Sequence, residues 1–153
     1  MSEAEVPNPD VIPFGGAVPI FRIQNLAASI GYYVQVLGFK LDWQTPGFAS
    51  VSRGRCCVFL SEGDQGNPGA WVWIGVPDAE ALFEHYRATC ARVRHPPANY
   101  PWALELHIED LDGNVLRLGS DSKKDQPFGE WLDMRGQRWV MSPGGGWTKV
   151  ESA

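Results

Sequence analysis

The sequence predicts an α+β fold made of two consecutive βαβββ modules, and three observations predict it. Short runs of alternating apolar and polar residues are separated by turn dipeptides at Pro46-Gly47, Arg53-Gly54 and Asp112-Gly113. Two segments with helical spacing each follow a first strand, and each opens on a residue able to cap it, Asn25 and Asp78. The strand-helix pair then recurs after a little over fifty residues, which marks an internal repeat.

The elements follow in order. Residues 1–16 hold Pro7, Pro9, Pro13, Gly15 and Gly16 and read as an irregular N-terminal arm. The first strand spans 17–23. Asn25 caps a helix over about 26–37, whose apolar face carries Leu26, Ile30, Tyr33, Val34 and Leu37, and Gly38 ends it as a left-handed residue. Strands near 39–43, 48–52 and 55–61 complete the first module, 17–63. Residues 63–69, with three glycines and a proline, read as a linker. The second module, 70–120, repeats the order: a strand at 70–75, a helix from Asp78 to about Cys90, and strands near 91–95, 104–108 and 114–119. Asp112-Gly113 makes its hairpin turn, because glycine tolerates positive φ. Beyond Ser120 the pattern lapses into a C-terminal extension, 121–153. Its Trp131, Leu132, Met134 and Trp139 are too apolar for a free tail and are expected to pack somewhere.

Composition narrows the function classes. With 153 residues, 44% apolar and 20% charged, the chain suits one globular unit with a real core. No apolar run approaches the roughly 18 residues of a membrane span. Residues 1–13 lack the basic-then-apolar layout of a signal peptide. The three cysteines, with Cys56 and Cys57 adjacent, form neither a disulfide framework nor a zinc spacing, and a reducing cytoplasm is the expected location. A net charge of −5 without a basic stripe argues against nucleic acid.

Alternation along the strands assigns the sheet faces. Val58, Leu60, Val72, Ile74, Leu104, Leu106, Ile108, Leu116 and Leu118 fall on one aliphatic face suited to packing beneath helices. The opposite face gathers Phe59, Ser61, Trp71, Trp73, Glu105, His107 and Arg117. It is too polar for a closed core and too aromatic for open water, so it reads as a concave ligand surface. A second core or a dimer contact is the competing reading.

Several stretches are familiar. Residues 17–26, Tyr32-Tyr33 and 36–39 resemble the opening of glyoxalase/bleomycin-resistance/dioxygenase (vicinal oxygen chelate) domains, and 110–118 resemble their closing hairpin. Within that superfamily the chain is most similar to bleomycin-resistance proteins, through residues 48–61, 70–73 and Tyr100-Pro101-Trp102. The resemblance covers about 16–120 and implies paired modules forming an open cupped mixed sheet with helices on its outer face. It also implies a homodimer, with an N-terminal strand exchanged at a proline matched here by Pro19. An ordinary strand-edge proline is the other reading of Pro19.

Metal-dependent members carry His, Gln or Glu at four strand positions, which fall here at Val18, Phe59, Trp71 and Arg117. None supplies the imidazole or carboxylate that a divalent metal needs, so no metal, cofactor or catalytic residue is expected. The resemblance implies stoichiometric sequestration of a bleomycin-type antibiotic, conferring resistance. It places Trp43 and Phe48 around a planar ring system and lines the groove with Trp102 and Ser61. Asp42 and Glu105 are the candidates for a cationic substituent, while Phe59, Trp71, Trp73, His107 and Arg117 join from the face analysis. Arg117 is discordant: it is expected either to pair with Glu105 or to select an anionic ligand. His85 and His95 are expected at the surface. An enzyme of the superfamily with an atypical or metal-independent site, or a small-molecule sensor, are the alternatives.

Overall fold

The computed structural model describes residues 8–151; the first seven residues of the expected arm, and 152–153, lie outside the described residues. Strand β1 (Ile20–Arg22) leads into helix α1 (Leu26–Gly31), followed by β2 (Lys40–Thr45), β3 (Phe48–Arg53) and β4 (Cys56–Ser61). The second series is β5 (Trp71–Gly75), α2 (Ala79–Arg87), β6 (Arg92–Asn99), β7 (Leu104–Glu109) and β8 (Val115–Ser120). Each series builds its own four-stranded mixed sheet with the same strand order, β1-β4-β3-β2 and β5-β8-β7-β6. In both, the first strand runs parallel to the last and the remaining pairs are antiparallel. The α+β reading with paired βαβββ modules therefore holds.

The caps act as their chemistry requires. Asn25 Oδ1 accepts the Ala28 N–H at 3.0 Å, and Asp78 Oδ1 accepts the Ala81 N–H at 3.0 Å. Helix α1 is shorter than its spacing suggests. It widens into a π-helical turn over Tyr32–Val36, where Leu37 N–H reaches back to Tyr32 O at 3.0 Å. Tyr32 and Tyr33, adjacent in sequence, are both buried there. Helix α2 ends at Arg87 instead of near Cys90. Strand β6 runs farther than expected, through Pro96 and Pro97. It tolerates them because it is an edge strand with two register irregularities.

One core joins the modules. The aliphatic faces supply Phe21, Val51, Val58 and Leu60 from the first sheet and Leu106, Ile108, Leu116 and Leu118 from the second, and the helical segments add Leu26, Tyr33, Leu37 and Tyr86 to the same cluster. Burial of each such side chain contributes about 1.5–3 kcal/mol. Hydrogen bonds cross the same seam. Tyr33 OH donates to Asp110 Oδ2 at 3.0 Å, and Asn114 Nδ2 donates to Arg22 O at 3.1 Å. Asp110 also accepts the Asp112 and Asn114 N–H groups at 2.9 Å, tying the β7–β8 hairpin to α1. With the aliphatic faces taken up in this core, the opposite faces of the two sheets lie away from it.

The extension is a folded part of the chain. Strands β9 (Trp131–Leu132), β10 (Arg138–Met141) and β11 (Trp147–Lys149) form a small antiparallel sheet. Asn99, buried at the end of β6, holds its root: Nδ2 donates to Lys123 O and Gln126 O, while Oδ1 accepts from Lys123 N–H and Ser122 OH. Gly129 lies so close to β6 that a Cβ there would stand 2.8 Å from Ala98 Cβ. Tyr100 OH donates to Glu130 O at 2.6 Å, and Arg94 donates to the carbonyls of Leu132 and Asp133.

Candidate functional site

The outward face of the first sheet carries an aromatic trio. Trp43 and Phe48 stack with centroids 5.8 Å apart and planes 15° from parallel, and Phe59 leans on both at 5.6 and 5.5 Å. A β-bulge between Leu41 and Trp43 positions the nearest carboxylate. Strict alternation sends Asp42 and Trp43 to opposite faces; the extra residue places both on one. Asp42 Oδ1 accepts Ser52 OH at 2.7 Å and Oδ2 accepts Ser50 OH at 3.0 Å, fixing the carboxylate beside the trio. Trp43 remains 45% exposed. The result is a planar, wettable aromatic platform beside an anchored negative charge. Ser61, expected to line this groove, is buried, and its Oγ accepts the Gly63 N–H at 3.1 Å.

The second sheet is different, because the extension covers its outward face. Trp131 lies against His107 (5.0 Å), Tyr100 (5.5 Å), Trp102 (6.1 Å) and Trp71 (6.2 Å). Beneath it, Arg117 grips Glu105 through Nε and Nη2 at 2.8 and 2.9 Å, and its guanidinium sits 4.9 Å over the Trp131 ring. Trp102 Nε1–H and His107 Nε2 complete the coordination of the same carboxylate. Burial alone would raise the pKa of Glu105. The bonds from His107, Arg117 and Trp102, with the Arg117 charge, outweigh burial and bring it down to about 2. His107 is pushed below its ordinary value, chiefly by burial. Facing an ionised carboxylate, its Nε2 carries the proton, leaving Nδ1 an acceptor with no partner.

These contacts revise several expectations. Arg117 pairs with Glu105. Glu105 and His107, expected to face a ligand, are 1% exposed, because alternation tells which face a residue takes and not what lies over it. Glu105 is thus already engaged; Asp42 is the less buried carboxylate, with the exposed Lys40 ammonium 4.0 Å from its Oδ1. Trp71 is held between Trp131 and the Arg94 guanidinium, 4.9 Å from its ring. Trp73 stays 51% exposed and lies across Gly119, where a Cβ would come within 2.7 Å of its indole. His85 is exposed; His95 is half-buried, 6.2 Å from His107. Among the described residues no ring contact joins the first trio to the Trp71–Trp131 cluster. Sequence reasoning missed Trp131, Asp133, Trp139 and Trp147 as members of this face. Their density of tryptophan was the available signal.

The resident metal of the fold's enzyme members does not fit here. Of the positions where the resemblance places its ligands, Phe59 belongs to the aromatic trio, Trp71 packs against Arg94, and Arg117 is a cation paired with Glu105. Among the described residues no group of three or more His, Cys, Asp or Glu could hold a metal ion.

Residues 18–118 match the family model described as the Glyoxalase/Bleomycin resistance protein/Dioxygenase superfamily. The chain belongs to this superfamily. No curated protein sequence matches. Solved structures of the superfamily's fold do. A bleomycin-binding protein from bleomycin-producing Streptomyces verticillus, complexed with copper(II)-bleomycin, is 25% identical, with a TM-score of 0.63. The match covers 73% of this chain and 100% of that one. The bleomycin resistance determinant encoded on transposon Tn5 is 17% identical with a TM-score of 0.62, covering 71% and 98%. A glyoxalase/bleomycin resistance protein/dioxygenase from Nocardioides is 18% identical with a TM-score of 0.59, covering 78% and 91%. No helix among the described residues is long and apolar enough to cross a membrane.

Proposed function

We propose that this superfamily member is a non-catalytic binding protein that sequesters a planar, cationic antibiotic of the bleomycin type, conferring resistance. The observation that carries this reading is the stacked Trp43–Phe48 pair beside Asp42, itself anchored by Ser50 and Ser52. Flat heteroaromatic rings stack on such a platform, and a cationic substituent gains from the neighbouring carboxylate. The likeness to a bleomycin-binding protein supports the same ligand class. In this reading residues 17–120, with modules 17–63 and 70–120, form the binding unit and 121–153 modify it. The protein acts in the cytoplasm, where Cys56, Cys57 and Cys90 stay as thiols.

Titrating the protein with a bleomycin-type glycopeptide should quench tryptophan fluorescence saturably at one ligand per chain. Trp43→Ala should weaken binding about tenfold, from a lost stack and its buried area. Absence of quenching at micromolar protein, or unchanged affinity in Trp43→Ala, would sink the reading.

The working unit in this proposal is a two-fold dimer. Val11, Ile12 and Phe14 stand 71%, 48% and 97% exposed on the arm. A cavity of about 810 Å³, whose lining includes Ala17, Pro19 and Trp73, draws on both modules. An arm exchanged at Pro19 would bury those side chains, although β1 pairs with β4 of its own chain in the single-chain structure. Sedimentation equilibrium should give twice the 16.9 kDa chain mass. A monomer at micromolar concentration would overturn the dimer.

A further inference from the structure

The docked extension walls an open pocket of about 510 Å³, within the size range of small-ligand sites. Its lining is Trp102, Arg117, Trp131, Asp133, Trp139 and Trp147. Three of the four indoles come from the extension, so this box is absent from a chain that ends with the second module. The walls are held by packing and hydrogen bonds. Trp102 stacks on Tyr100 at 5.0 Å with planes 8° apart, Trp131 is fixed as described, and Trp139 Nε1–H donates to Asp133 Oδ2 at 2.8 Å.

The electrostatics of the lining are asymmetric. Arg117 lines the cavity, but its guanidinium is paired with the buried Glu105 and lies 4.9 Å over the Trp131 ring. Asp133 has no ion-pair partner among the described residues. Its Oδ1 is fixed by the N–H groups of Arg135 and Gln137 at 2.8 and 2.9 Å, so the carboxylate is aimed and not mobile. Arg94 and the exposed Arg135 lie outside the lining. Four indoles beside a carboxylate that has no ion-pair partner among the described residues attract a weakly hydrated cation, and Arg117 over Trp131 already uses ring–cation attraction within the fold.

We infer that this tryptophan box is a binding site for a compact organic cation, of the quaternary ammonium or alkylated amine class. It is separate from the Trp43 platform and does not rest on the antibiotic reading of that platform. The full-length protein is titrated with choline and, in parallel, with its uncharged carbon isostere dimethylbutanol, following tryptophan fluorescence. Choline should give a saturable change, with the isostere at least about tenfold weaker. Trp147→Ala, at an indole 37% exposed, should weaken choline about threefold to thirtyfold. Asp133→Asn should weaken it about threefold. Should Trp147→Ala fail to fold in a thermal scan, Asp133→Asn carries the test. Equal binding of the isostere, no saturable change, or wild-type affinity in the folded variants overturns the inference. Loss of glycopeptide binding with choline binding intact would count against the platform reading alone.

Discussion

Replacing Glu105 by alanine is expected to destabilise the fold by about 3–5 kcal/mol, a large part of the 5–15 kcal/mol typical of a native domain. The carboxylate accepts from Arg117, His107 and Trp102 at once, and its side chain is fully enclosed. Removing it strands a guanidinium and a buried imidazole N–H together. Glu105→Gln, which keeps the shape and one acceptor, should lose roughly half as much. The pH dependence follows from the signs. Glu105 has a folded pKa near 2 against 4.5 unfolded, so its contribution is complete above pH 4.5 and disappears as pH falls toward 2. That contribution is roughly 3 kcal/mol at 1.36 kcal/mol per unit. His107 is also lowered, from 6.5, so the unfolded chain binds its proton first and stability begins to decline below about pH 6.5. Asp110 is raised by its burial and acts in the opposite sense, losing its contribution as pH rises through its folded value. Urea unfolding at a series of pH values should show the acid limb in the wild type and a flattened limb below pH 4.5 in Glu105→Ala. Equal limbs in both proteins would refute the assignment.

Asn99→Ala is expected to release the extension while leaving the two modules folded. Four hydrogen bonds from one buried amide hold residues 122–126. At about 0.5–1.5 kcal/mol each, the four bonds together amount to roughly 2–6 kcal/mol, concentrated on one segment. Limited proteolysis should cut the variant within 121–130 under conditions that leave the wild type intact. Its tryptophan emission should move to the red as Trp131, Trp139 and Trp147 meet water. Matching cleavage patterns would show that other contacts, such as Tyr100 to Glu130, suffice.

How much of the fold and site is legible in the sequence depends on the range of each interaction. The caps at Asn25 and Asp78 and the Asp112-Gly113 turn act within a few residues, and the sequence announces them; Gly113 indeed adopts φ of 81°. Alternation likewise separated the aliphatic face from the aromatic one. The bulge at Asp42 escaped notice because one added residue leaves no compositional trace. The fate of the second face escaped for a different reason. Trp131 lies in a strand of two residues, too short for any periodicity. What covers a face is decided by contacts across long separations, such as the 38 residues between Arg94 and Leu132. Glu105, His107 and Arg117 were thus recognisable as a set, but a ligand surface and a sealed ion cluster look alike in one dimension.

The shared strand order of the two sheets carries a consequence for how this chain can change. Two halves of equal topology begin as interchangeable copies, each with a vacant outer face. Once a tail closes only one of them, a substitution at Asp42 or Phe48 is, in the proposed binding role, felt by whatever occupies the open half. A substitution at Glu105 or His107 is felt first by foldedness. Variation in the one half therefore explores new ligands, while in the other it is filtered as interior packing. The tail has turned a duplicated pair into a division of labour.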